Sequence, residues 1–159
     1  MTVPEKLLKL LLALCGLGCI AGLPALYMPR SWMAVGHEWL EMGPFPDPPI
    51  AEYLARLTSG LYAIYGALVL IMATDVRRYA PLITAQALLI LGLALSGGYF
   101  GWPIGIPKWW IASDITAVIF YCGATLVLQR MIRQADRRRQ AVGAAPPQEQ
   151  ASKSEERTA

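Results

Sequence analysis

The chain has 159 residues, 55% of them hydrophobic and only 16% charged, with a formal net charge of +3 and three cysteines. That length suits one domain. The charges are bunched between long apolar runs that have almost no polar face, which excludes an ordinary soluble helical domain and makes lipid the expected solvent.

Backbone groups in lipid must bond to one another, so helices or a closed barrel are the choices. Runs of roughly 18–20 residues, rising about 1.5 Å each, reach about 30 Å, the hydrocarbon thickness. The expected class is an all-α membrane protein. Residues 1–139 form a four-helix transmembrane bundle, with an interfacial amphipathic helix in the first outer loop. Residues 140–159 form a disordered tail.

A short basic start, MTVPEKLLK, leads into the first apolar run, Leu10 to Met28. Pro24 should kink or loosen its last turn. The region also reads as a signal peptide, with cleavage after Ala21 as the only passable site. The run exceeds a usual signal core, which favours a retained helix. Pro29 ends it. SWMAVGHEWLEM, residues 31–42, then sets Trp32, Val35, Trp39 and Met42 at helical spacing, with His37, Glu38 and Glu41 elsewhere around the turn. This is a short amphipathic helix suited to a membrane surface. The four prolines of GPFPDPPI, residues 43–50, make the next stretch rigid and non-helical.

The second helix is expected over 54–73, with Arg56 in its first turn. A tight charged connection with Asp75, Arg77 and Arg78 follows, and Pro81 suits a helix start. The third helix covers 82–100. GWPIGIPK, residues 101–108, is a short loop. The fourth helix covers 109–128, carries Asp114 near its start, and continues into QRMIRQADRRR outside the lipid. The remaining residues have low hydrophobicity and mixed charge and cannot bury enough surface to fold.

Lys6, Lys9, Arg77, Arg78, Arg130, Arg133, Arg137, Arg138 and Arg139 fall in segments that must share one side. The other side has Arg30, Arg56 and Lys108. The positive-inside rule therefore puts both termini on the cytoplasmic side. All five tryptophans, Trp32, Trp39, Trp102, Trp109 and Trp110, lie on the outer side, as an aromatic anchor at headgroup level would.

The second and fourth helices both run inward, so Arg56 and Asp114 share the outer leaflet. Asp114 lies roughly 8 Å deep, where a lone acid seeks a partner or water. Three readings follow: Arg56 snorkels while Asp114 faces a wet crevice, the two pair, or they form a ligand or proton site. Ser59, Tyr62, Ser96, Tyr99 and Ser113 are expected at similar depth. Together they outline an outward-opening polar pocket, with Glu52 and His37 near its mouth. Asp114, Tyr121 and Thr125 share a helix face. Gly18 and Gly22 form a GxxxG spacing, and Gly92 and Ser96, with Ala94 and Gly98, repeat a small-residue pattern. Such positions allow close packing in the bundle, or self-association. Cys15, Cys19 and Cys122 read as small packing residues, not as a disulfide or zinc framework.

A single histidine rules out a bis-histidine haem within the bundle. No phosphate loop, dinucleotide fingerprint, zinc-protease motif or serine elbow is present. No cofactor, no metal and no catalytic residue is expected. The basic segment 130–139 suits anionic lipid, and nucleic acid is not expected as a partner.

YLARLTSGLYAIYGAL (53–68), DVRRYAPLI (75–83) and GIPKWW (105–110) resemble, in their order, small bacterial four-helix membrane proteins of unknown function, loosely the DoxX-like kind. The resemblance spans about residues 50–128. It implies the bundle. Redox partnership goes with the family name, but no cofactor-binding pattern here carries it over.

The functional expectation is a non-enzymatic accessory or binding component of the inner membrane, alone, as a homo-oligomer or with a membrane protein partner. One alternative is a small-solute carrier or channel using the Arg56/Asp114 pocket. Another is a quinone-linked redox subunit.

Overall fold

A computed structural model describes residues 2–143, and within them every regular element is helical. In chain order these are α1 (Val3–Ile20), α2 (Pro24–Tyr27), α3 (Arg30–Trp39), α4 (Pro49–Thr74), α5 (Ala80–Gly101) and α6 (Lys108–Gly143). Four helical stretches, Val3–Tyr27, Pro49–Thr74, Ala80–Gly101 and Lys108–Ala141, are long and apolar enough to cross a membrane.

The helix starts lie earlier than hydropathy alone places them. α1 begins at Val3, not Leu10, because Pro4 fits a first turn and the Glu5 carboxylate accepts the Thr2 N–H at 2.8 Å. Pro24 does more than loosen the first run. It opens the separate short helix α2 after a turn at 21–23. α4 begins at Pro49, inside the stretch expected to be non-helical, since proline is tolerated in a first helical turn. α6 runs four residues into the segment expected to be disordered, and residues 144–159 lie outside the described residues.

α3 starts one residue before the stretch expected to be helical, 31–42, and covers it only as far as Trp39. It ends before Glu41 (φ 58°) and Gly43 (φ 78°), whose left-handed backbone turns the chain back. The loop then folds over α3. Arg30 bonds the Asp47 carboxylate at 3.0 Å, and His37 Nδ1 lies 2.8 Å from the Gly43 carbonyl.

α1 packs on α4 and on α6, α5 packs on α6, and α2 packs on α4. The bundle is therefore two tight pairs, α1/α4 and α5/α6, joined through α1 and α6. The join is filled at the end that carries the start of α1 and the α4–α5 turn. There Leu8, Leu12, Val69, Met72, Val76, Ile83 and Ile132 form one buried cluster.

Polar staples close the same end. Arg77, in the α4–α5 turn, bonds Glu5 of α1 and, at 3.0 Å, Asp136 of α6. Lys9 donates to the Thr74 carbonyl at 2.7 Å. Thr84 donates to Gln129 at 2.6 Å, and Gln129 returns to the Ala80 carbonyl at 2.9 Å. The cations read as topology markers thus include one, Arg77, that ties three elements together.

The α1/α4 contact is made by Gly16 and Gly66. A Cβ on Gly66 would sit 2.5 Å from the Gly16 carbonyl oxygen, so the two backbones touch. Of the other small-residue positions, Gly18 and Gly92 have nothing within 4 Å of such a Cβ, whereas one on Gly98 would lie 2.5 Å from Ile115 Cδ1 of α6.

Candidate functional site

Away from the closed end, the two helix pairs part around a cavity of about 640 Å³. All four long helices line it. Leu11, Leu14, Cys15 and Cys19 come from α1, and Thr58, Leu61, Tyr62 and Tyr65 from α4. Ile90, Leu93 and Ala94 come from α5, and Asp114, Ala117, Val118 and Tyr121 from α6. Each set recurs at three- and four-residue steps, so each helix gives one face to the space. The walls are apolar. The phenols, Thr58, the two thiols and one carboxyl group interrupt them.

The floor is polar and fixed. Tyr65 donates to the Gln86 side-chain oxygen, and Gln86 donates to the Tyr121 hydroxyl at 2.7 Å. This relay joins α4, α5 and α6. Tyr65, Tyr121 and Cys15 also pack against the buried cluster, so they separate the cavity from the closed end. Gln86 is 8% exposed, and its amide would be unsatisfied without the two phenols. Asp114 is seven residues before Tyr121, about 10 Å along the helix and toward the loops. Among the described residues its carboxylate has no hydrogen bond or ion pair.

Of the seven residues expected to form a pocket, the structure brings together Tyr62 and Asp114. Arg56 is committed elsewhere. It bonds the Glu52 carboxylate at 2.7 Å and donates to the carbonyls of Leu26 (2.7 Å) and Met28 (2.9 Å). Those carbonyls close the end of α2, so the guanidinium binds the break in the first span to α4. Ser59 bonds back to the Ala55 carbonyl, and Ser96 to the Gly92 carbonyl, each within its own helix. Tyr99 lines a different cleft, about 920 Å³, with Phe100, Trp102 and Ile111 at the loop end. His37 holds the loop after α3, and Ser113 bonds the Trp110 carbonyl. Thr125 is fully buried and not among the residues that line the cavity.

The physical reason is angular. Residues two apart on a helix face roughly 200° apart. Arg56 is therefore turned away from the cavity face marked by Thr58, and Ser96 from the face marked by Ala94. Sequence reasoning missed Thr58, Tyr65 and Gln86. The signal for Gln86 was present: it is an amide in an otherwise apolar helix, and such groups take an interhelical partner.

Among the described residues no cluster of histidine, cysteine and acidic side chains is placed to hold a metal. The cavity offers hydrogen bonds, one negative charge and apolar contact. No family, curated protein or solved structure matches the chain.

Proposed function

We propose that this chain is a non-catalytic, multi-pass membrane component that binds a lipid-soluble small molecule between its two helix pairs. The observation that carries the reading is a cavity lined by all four long helices, apolar in its walls and polar at a few fixed points. Such spaces of roughly 300–1,000 Å³ hold drug-sized ligands by apolar contact and orient them by a few polar groups. Its sides abut the exposed apolar surfaces of Leu61 and Leu93, so a molecule dissolved in the bilayer reaches it without crossing water.

The setting is the inner membrane of a bacterium, with both termini in the cytoplasm, as the distribution of Lys and Arg favours. In that setting the closed end faces inward. α3 lies along the outer surface, because Trp32, Val35 and Trp39 line one shallow groove with Met28. The arginines of 130–139 meet anionic lipid. A carrier reading is less well supported. The buried cluster and the Glu5–Arg77–Asp136 ion pairs fill the path toward the inner side. A likeness to DoxX-like bundles, where it holds, concerns architecture alone.

The test is extraction. The protein is reconstituted in lipid nanodiscs, and its small molecules are identified by mass spectrometry beside those of Ala94→Trp and Ala117→Trp. An amphiphile enriched with the unaltered chain and missing from both filled variants supports the reading. Identical extracts from all three, matching bulk lipid, refute it.

A further inference from the structure

The geometry points to a hydrophobic monocation as the occupant of this cavity, an amine or onium group on an apolar body, with Asp114 as its counter-ion. The inference rests on the binding reading above and adds the charge of the ligand.

Three observations carry it. First, Asp114 lines the cavity and has no protein partner among the described residues. A carboxylate that lines an apolar, lipid-facing space calls for a compensating positive charge.

Second, Arg56, Arg77 and Lys108 are engaged elsewhere. Arg56 bonds Glu52 and two carbonyls, Arg77 bonds Glu5 and Asp136, and Lys108 stacks 5.2 Å above the Trp102 ring. No lysine or arginine lines the cavity. An anionic ligand would find no positive group there and would meet the Asp114 charge. A neutral one would leave that charge uncompensated.

Third, the phenol rings of Tyr62, Tyr65 and Tyr121 border the same space. Aromatic faces attract cations, and more so where water is excluded. The groups that can carry charge and face Asp114 across the cavity are Cys15 and Cys19 of α1, Tyr62 and Tyr65 of α4, and Tyr121 of its own helix, with none from α5. None of them supplies a positive charge in any protonation state.

The experiment uses the full chain in zwitterionic phosphatidylcholine nanodiscs, with empty discs subtracted. Equilibrium dialysis compares tetraphenylphosphonium with tetraphenylborate, which has nearly the same shape and the opposite charge. Saturable binding of the cation is expected at one per chain, with no saturable binding of the anion. Asp114→Asn should weaken cation binding at least tenfold. Asp114→Glu should keep it, as should Asp47→Asn in the loop.

Equal binding of the two ions, or undiminished cation binding by Asp114→Asn, overturns the charge assignment and leaves the amphiphile reading standing. Cation binding untouched by Ala117→Trp removes the cavity as the site and sinks both. If Asp114→Asn fails to fold, the contrast between the two ions on the unaltered chain decides. No saturable binding of either ion also overturns the assignment.

Discussion

Replacing Gly66 by alanine probes the closest approach in the bundle. The added Cβ would lie 2.5 Å from the Gly16 carbonyl oxygen, 2.9 Å from Cys19 Cβ and 3.0 Å from Ile20 Cγ1. Favourable contacts between carbons begin near 3.5 Å, so α1 and α4 must separate by roughly 0.5–1 Å. A gap of that size forfeits about a quarter to a half of each neighbouring dispersion contact. Lipid supplies no hydrophobic drive to compensate, because its tails are as apolar as the helix faces. Overpacking of this kind costs about 1–3 kcal/mol, against a gain of about 0.5–1 kcal/mol from removing a helical glycine. The expected net loss is about 1–2 kcal/mol. Gly18→Ala is the internal control. Its Cβ meets nothing within 4 Å, so it should be neutral or stabilising by about 0.5–1 kcal/mol. Both are measured by titrating the protein from dodecylmaltoside into dodecyl sulfate and following helix content. Equal midpoints for the two variants would show that these backbones do not touch, and the reasoning would fail.

Arg56→Leu should destabilise by about 1.5–3 kcal/mol in the same titration, since it strands Glu52 and the carbonyls of Leu26 and Met28. Adding a charge swap, Arg56→Asp with Asp114→Arg, should rescue nothing; recovery of stability would mean that the two residues meet. Gln86→Leu removes both hydrogen bonds of the cavity floor and should cost about 1 kcal/mol, near twice the average for a bond between membrane helices. A loss no larger than that of Leu88→Ala on the exposed face would contradict it. Asp75 accepts the backbone N–H of Arg78 at 3.0 Å and of Arg77 at 3.2 Å. The Arg78 N–H above all holds its carboxyl below the usual value of about 3.9, despite some opposing desolvation. Its contribution to the α4–α5 turn is therefore complete above that ordinary value and is lost as pH falls through the depressed one. Carbon-13 titration of the Asp75 carboxyl should show the lowered midpoint, and an ordinary one would count against the turn.

Much of the architecture was legible in the sequence, because lipid makes severe demands on it. Apolar length marked the four long helices, and tryptophan placement marked the loop end. Local chemistry at the ends was less legible. Thr2, Pro4 and Glu5 extend α1 through a polar turn that hydropathy discounts, and Pro24 divides the span because α2 restarts on it. The glycine contact was misplaced for a related reason. Gly16 meets Gly66 across fifty residues of sequence, whereas the GxxxG rule scores spacing within one helix.

The site followed the same division. Asp114 and Tyr62 stood out as polar groups within apolar runs, and both line the cavity. Arg56 stood out equally and proved to be a brace for α2. Nothing in its own sequence neighbourhood tells a brace from a ligand group, since the carbonyls it holds belong to residues 26 and 28. Arg30 repeats the lesson. Its partner Asp47 sits across the proline-rich loop, and the pair pins that loop over α3.

The proposed role requires the bundle to lie in a bilayer with its loop end at one headgroup surface. The five tryptophans all sit at that end, and Trp39 and Trp32 are 82% and 67% exposed in the absence of lipid. Quenching of tryptophan fluorescence in vesicles doped with lipids carrying a nitroxide at graded depths measures where they lie. Strong quenching by the shallow nitroxide, fading as the label moves toward the bilayer centre, is the expected profile. Quenching that peaks at the deepest label, or none at any depth, would contradict it.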